Sequence, residues 1–121
     1  MNSINVEEIV SKTQKFNSDR DWSQFHSIKN LSMALSVECS ELVEIFQWMK
    51  EEESNQISSN QNLKSKVEEE VADIFLYLLQ ITTKSEIDLE AAVLRKMALN
   101  EEKYPIEKAR GLAVKYSEFK K

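Results

Sequence analysis

The chain has 121 residues but only one glycine, one proline, one cysteine and one histidine. Each scarcity excludes something. With almost no Gly or Pro there is little of the turn chemistry that β-hairpins need. Helix formers such as Glu, Lys, Leu, Ala and Gln dominate instead, and the sequence predicts an all-α fold. The lone Cys39 rules out an internal disulfide and a multi-cysteine zinc centre, and it fits a reducing compartment. No basic neighbour is in view to lower its pKa, so it reads as a filler thiol rather than a nucleophile. The lone His26 argues against a di-iron carboxylate bundle, which needs two Glu-x-x-His elements; position 23 is Ser. No apolar run approaches the ~20 residues that span a bilayer, and the N-terminus carries no signal-peptide pattern. A cytoplasmic protein with no membrane partner is expected.

An excess of positive charge is also missing. The net charge of −5 disfavours non-specific binding to a nucleic-acid polymer. The charge is unevenly spread. From Arg95 to the end, eight Lys or Arg, including Lys120 and Lys121, face four acids, so the first 94 residues carry −9. A small polyanion that arrives with its own metal would suit an acidic cleft flanked by such a basic tail.

The length corresponds to one domain over residues 1–121 with a modest core. Asn5, with Glu8 three residues on, forms a capping-box pattern opening a helix from about Val6 to Phe16. A polar, aromatic-studded loop follows, Asn17 to His26. Ser27 caps a second helix to about Lys50, and the Ser-, Asn- and Gln-rich stretch 51–62 reads as a surface loop. A third helix runs from about Leu63 to Lys84. Asp88 caps a fourth, from about Leu89 to Lys103, which Pro105 stops. From about residue 106 the chain reads as a short helical turn and a tail, with Gly111 as a break.

Two acidic pairs, Glu38-x-x-Glu41 and Glu70-x-x-Asp73, sit within the apolar stripes of the second and third helices, and residues i and i+3 share a helix face. The inward rows read Leu31, Ala34/Leu35, Glu38, Glu41/Leu42, Ile45, Trp48/Met49 and Leu63, Val67, Glu70/Val71, Asp73/Ile74, Tyr77/Leu78, Ile81. If the stripes face each other, four carboxylates meet in a partly desolvated cleft. Burying them unpartnered costs several (~) kcal/mol each, and their mutual repulsion adds to this. A divalent metal is the simplest partner. If the register were shifted by one position, the acids would instead flank the core and pair with Lys or Arg.

An all-oxygen donor set suits Mg²⁺, with Mn²⁺ as a substitute, and is poor for zinc. Mg²⁺ held by carboxylates keeps positions for water and phosphate oxygens, so phosphate-ester or phosphoanhydride hydrolysis is the leading reaction class. The alternative is a non-catalytic helical interaction module whose acidic groove takes a basic partner helix. The third helix is apolar nearly all round from Val71 to Ile81, and several helices have broad apolar faces. Self-association through these faces, with twofold symmetry, is expected.

Several strings together have a familiar look: Arg20-Asp-Trp22-Ser-Gln-Phe25-His26, Asn30-Leu, Glu38-Cys-Ser-Glu41-Leu, Phe46-Gln-Trp48, Glu69-Glu70-Val-Ala-Asp73-Ile and Lys96-Met-Ala-Leu-Asn100-Glu-Glu-Lys103-Tyr104-Pro105. The chain resembles the MazG-like all-α nucleoside triphosphate pyrophosphohydrolases, nearest their dCTP pyrophosphatase-type branch, from about Phe16 to Tyr116. The paired acids indicate the superfamily; the first and last strings are more specific to the branch.

That resemblance implies a four-helix bundle completed by oligomerisation, as a dimer or a dimer-of-dimers homotetramer. It implies Mg²⁺-dependent cleavage of a (deoxy)nucleoside triphosphate between the α and β phosphorus atoms, giving monophosphate and pyrophosphate. Glu38, Glu41, Glu70 and Asp73 match the catalytic, metal-binding acids. Trp22, His26, Trp48 and Tyr77 match positions lining the base and sugar pocket. Lys96, Asn100, Lys103 and Tyr104 match the string associated with the phosphates. Read without the family, Trp48 and Tyr77 are core residues on helix stripes, and Lys96, Asn100 and Lys103 make an ordinary solvated face.

Overall fold

Three asparagine or serine side chains decide where the first long helices start. Asn5 Oδ1 accepts from the Glu8 amide at 3.1 Å, Ser27 Oγ from Asn30 at 3.0 Å and Asn60 Oδ1 from Leu63 at 3.2 Å. Each bond satisfies an amide that the helix itself leaves unpaired. In the computed structural model, which describes residues 2–119, these caps open α1 (Val6–Asp19), α2 (Ile28–Phe46) and α4 (Gln61–Lys84). The short α3 (Glu51–Ser54) lies between α2 and α4, and no strand occurs among the described residues. Met1, Lys120 and Lys121 lie outside the described residues, and so does the part of the basic tail that the last two represent.

Two compact units divide the chain, Met1–Glu86 and Ile87–Lys121. In the first, α2 and α4 form the central pair. They run antiparallel: Leu31, near the start of α2, lines the same cleft as Leu76 and Leu79, near the end of α4. Most of the predicted inward rows hold. Leu31 and Leu79 are 2 % and 3 % exposed, while Leu35, Leu42, Ile45, Val67, Ile74, Leu78 and Ile81 are half-buried.

Three expectations change. Helix α1 continues three residues past Phe16, because Asn17 is buried against α4 and donates from Nδ2 to Gln80 Oε1 at 2.9 Å. A long-range hydrogen bond here overrides the loop character of Asn17-Ser18-Asp19. Helix α2 stops at Phe46, and Trp48 sits in the turn beyond it, 90 % exposed. Its predicted inward placement required helix geometry that the chain abandons at Gln47. The stretch 51–62 is also partly helical: Glu51, Glu52 and Glu53 occupy the first turn of α3, where the helix dipole favours acids, and a 3₁₀ turn follows at Ile57–Ser59.

In the second unit, Asp88 Oδ1 accepts from Ala91 at 3.0 Å and opens α5 (Leu89–Lys103), which ends before Pro105 as predicted. A one-turn helix, α6 (Ile106–Ala109), follows. The chain then turns at Gly111, whose φ of +77° is a left-handed conformation open to glycine. Tyr104 packs edge-on against Tyr116 and Phe119, with ring centroids 6.1 and 5.7 Å away.

Leu31 and Leu79 are the only large apolar side chains buried among the described residues. On α2, Met33, Val37 and Val43 are exposed. At 100° per residue they fall on the face opposite Leu31, Glu38 and Leu42, with the small Ser36 and Ser40 between them. Helix α2 therefore packs one face against α4 and leaves Met33, Val37 and Val43 exposed on the other.

Candidate active site

Helices α2 and α4 bring the acidic pairs together. One carboxylate oxygen each of Glu38, Glu41 and Glu70 lies within 4.8 Å of the others. Asp73, one turn after Glu70 and half-buried, stands outside that triangle, yet its charge acts on Glu38, Glu70 and Tyr77. The predicted register is correct. Among the described residues no Lys or Arg pairs with these acids; the ion pairs found are Lys12–Glu8 and Lys15–Asp19, both on α1.

The electrostatics follow from that crowding. Burial, contact with the Glu41 and Glu70 side chains and the charges of Glu41 and Asp73 push the Glu38 carboxyl from 4.5 up to about 7. Burial also raises Glu70; the contact with Glu38 opposes this, while Glu41 and Asp73 push the same way as burial. Burial, then the charges of Glu38 and Asp73, raise the Tyr77 hydroxyl. Glu38 Oε2 and Glu70 Oε2 are both buried, and no donor among the described residues reaches either. Oxygen-only donors, several negative charges and two orphaned buried oxygens fit a hard divalent cation. Such an ion would satisfy the lone pairs and cancel the repulsion together.

A pH dependence follows for the metal-free protein. Glu38 and Glu70 have raised folded-state values, so they favour the folded chain when protonated. That contribution is complete below about pH 4.5 and is lost as pH rises through about 7 for Glu38. The urea midpoint of metal-free protein should therefore be lower at pH 8 than at pH 5.5. Added divalent metal should restore it at pH 8 and change it little at pH 5.5. A midpoint independent of pH and metal would contradict the burial of these acids.

The other predicted site residues are spread more widely. Tyr77 lies one turn after Asp73 on α4, on the face of the acids. Trp22 packs edge-on against Phe16 at 5.6 Å, and the Arg20 guanidinium lies 3.7 Å above the same Phe16 ring. His26 closes the 3₁₀ turn Ser23–Phe25. Its carbonyl accepts from Lys84 Nζ at 2.6 Å, and its buried Nδ1 has no partner. Trp48 projects into solvent in a single chain. Lys96, Asn100, Lys103 and Tyr104 belong to α5 and its C-terminus in the second unit. Lys103 Nζ lies 5.1 Å from the Tyr116 ring, and the Tyr104 ring is engaged by Tyr116 and Phe119.

A cleft of about 320 Å³ opens between α1, the 3₁₀ turn, the start of α2 and the end of α4. His26 lines it, and so do Asn17 and Gln80, which the sequence pattern does not single out. A signal for Gln80 was present. It follows Asp73 and Tyr77 at i+7 and i+3, on one helix face, and interrupts an otherwise apolar run.

The MazG-like family model matches residues 33–119, a span holding both acidic pairs. The chain belongs to the MazG-like family. Among curated proteins, it is 38 % identical to dCTP pyrophosphatase 1 of Bos taurus over 93 % of this chain and 67 % of that protein. It is 36 % identical to dCTP pyrophosphatase 1 of Homo sapiens, over 93 % of this chain and 66 % of that one. The chain thus spans about two thirds of the length of these mammalian proteins. A crystal structure of a pyrophosphatase from Archaeoglobus fulgidus DSM 4304 superposes with a TM-score of 0.74 at 38 % identity, covering 87 % of this chain and 96 % of that one. The MazG-like assignment agrees with the all-α architecture, the central α2–α4 pair and the acids it carries.

Proposed function

We propose that this chain is a nucleoside triphosphate pyrophosphohydrolase acting on dCTP or a related deoxynucleoside triphosphate. It cleaves between the α and β phosphorus atoms, releases monophosphate and pyrophosphate, and serves to clean or balance the nucleotide pool. The observation that carries this reading is the meeting of Glu38, Glu41 and Glu70 across α2 and α4, with two buried oxygens that no donor among the described residues satisfies. The names of the relatives point to the same chemistry.

Glu38, Glu41, Glu70 and Asp73 would hold Mg²⁺, or Mn²⁺ in its place. Bound there, the ion supplies charge neutralisation for the phosphates and lowers the pKa of a water. The chain's own residues do the rest. A carboxylate of the quartet with an oxygen to spare takes the proton of the attacking water. Trp22, His26, Trp48 and Tyr77 surround the base and sugar, with the aromatic rings offering stacking surface. Lys96, Asn100 and Lys103, spaced i, i+4 and i+7, and Tyr104 serve the phosphates. The working form is a homo-oligomer, a dimer or dimer of dimers, which covers the apolar faces that one chain leaves bare. No nucleic-acid polymer is a partner, and the setting is the cytoplasm, where Cys39 stays reduced.

The test is a panel of canonical and modified nucleoside triphosphates with Mg²⁺, the products resolved. The expected products are monophosphate and pyrophosphate in equal amounts, with dCTP or a modified dCTP among the best substrates. Orthophosphate without pyrophosphate would place the cut elsewhere. No turnover, together with no Mg²⁺-dependent thermal shift from a non-hydrolysable nucleotide, would favour the interaction module.

A further inference from the structure

Among the described residues, two side-chain hydrogen bonds join distant parts of the first unit, and both end on the last two turns of α4. Asn17–Gln80 ties α1 to α4. The other runs from Lys84 Nζ to the His26 carbonyl at 2.6 Å, across 58 residues of sequence. An ammonium donor makes this a charge-assisted bond, shorter and stronger than one between neutral groups. No carboxylate among the described residues competes for it, since the ion pairs found lie on α1. Lys84 stands in the last turn of α4, where the helix dipole favours a cation.

The turn that Lys84 reaches is already closed by its own bonds. Phe25 N donates to the Trp22 carbonyl at 2.9 Å, His26 N to the Ser23 carbonyl at 3.2 Å and Asn30 Nδ2 to the Phe25 carbonyl at 2.9 Å. Helix α2 has its cap in Ser27, and Leu31 N donates to the Ser27 carbonyl at 2.9 Å. Neither the turn nor the helix uses the His26 carbonyl, so neither needs Lys84 in order to form. What the bond adds is placement. It fastens the turn to the end of α4, the helix that carries Glu70, Asp73 and Tyr77. His26 and Lys84 line the same cleft, and the buried Nδ1 of the imidazole has no partner. With no bond from that nitrogen, the ring goes where its backbone puts it. That backbone, at φ −93° and ψ 59°, lies outside the helical and extended regions, so an outside tie is what keeps it there.

We infer that Lys84 is a positioning residue: by holding the His26 carbonyl, its ammonium sets where the His26 imidazole meets the substrate. Lys84 acts through His26 and not on the substrate itself. The inference rests on the hydrolase reading, in which His26 contacts the nucleotide, and deepens it.

The experiment measures kcat and KM for dCTP with Mg²⁺ in the full-length wild type, Lys84→Met, Lys84→Arg, His26→Ala and the double variant His26→Ala/Lys84→Met. Lys84→Met should raise KM by about tenfold and change kcat by less than about twofold, while Lys84→Arg, which keeps a charged donor, should stay close to wild type. In the His26→Ala background the same Lys84→Met change should alter KM by less than about twofold, because the group it positions is gone. A merely structural Lys84 would lower the active fraction, and so kcat, and leave KM as it was. His26 is the one histidine of the chain, so its imidazole C–H resonances are read by NMR without turnover. They should move in Lys84→Met toward their unfolded positions and hold in Lys84→Arg. Lys84→Gln, which loses the charge but stays polar at this exposed position, carries the same expectations if Lys84→Met does not fold. Unmoved resonances, an unchanged KM, or a KM effect as large without the His26 ring overturns the inference while hydrolysis stands. A wild type releasing no pyrophosphate from any triphosphate would remove the hydrolase reading and this inference with it.

Discussion

Exchange of Glu38 for Gln is expected to lower kcat for pyrophosphate release by about a thousandfold or more. The folded chain should survive and resist urea better than wild type when metal is absent. Gln keeps the shape and hydrogen-bonding capacity of the side chain but gives up the charge. In the proposed metal site, losing one anionic ligand would forfeit several (~) kcal/mol of transition-state stabilisation, and every 1.36 kcal/mol is a factor of ten. The gain in stability has the opposite cause. Glu38 sits against Glu41 and Glu70 with Asp73 nearby, so removing its charge relieves repulsion that protonation or a cation otherwise relieves. Asp73→Asn should also abolish turnover. Paired rate and urea measurements check both halves, and normal turnover by either variant would remove the metal site from the account.

The second large effect lies on the other side of α2. Val37→Asp should dissociate the proposed oligomer, although Val37 faces away from the acids. Met33, Val37 and Val43 are exposed in one chain, and the proposed oligomer would take them out of water. In a twofold assembly each substitution acts twice. Withdrawing two valines from a buried interface costs about 4 kcal/mol at about 2 kcal/mol per side chain. That weakens association by roughly a thousandfold, before the cost of burying two carboxylates is added. Sedimentation of wild type and variant at matched concentration checks this. A variant that sediments like wild type would mean that another face makes the assembly.

The parts of the fold legible in the sequence are those governed by local rules. Asn5, Ser27 and Asp88 announce their helices because a cap is a three-residue event. Glu38-x-x-Glu41 and Glu70-x-x-Asp73 stand out because helical periodicity places them where apolar residues belong, and the orphaned oxygens bear out that reading of the pattern. The pairing of α2 with α4 follows from the same two stripes. What escaped depends on contacts between distant residues. Asn17 reads as a loop residue until Gln80 is seen beside it. Trp48 reads as inward only while α2 is carried past Phe46. His26 gives no hint in the sequence that Lys84 will hold its carbonyl.

The most direct measurement is a calorimetric titration of metal-free protein with Mg²⁺ at pH 7, in two buffers of different ionisation heat. A non-hydrolysable dCTP analogue is present, and Glu70→Gln is run in parallel. Wild type should bind saturably and release protons, because the Glu38 carboxyl, pushed up to about 7, must give up its proton as the cation enters. The variant should bind far more weakly. Uptake without proton release, or equal affinity in the two proteins, would mean that Mg²⁺ goes somewhere other than the carboxylates between α2 and α4.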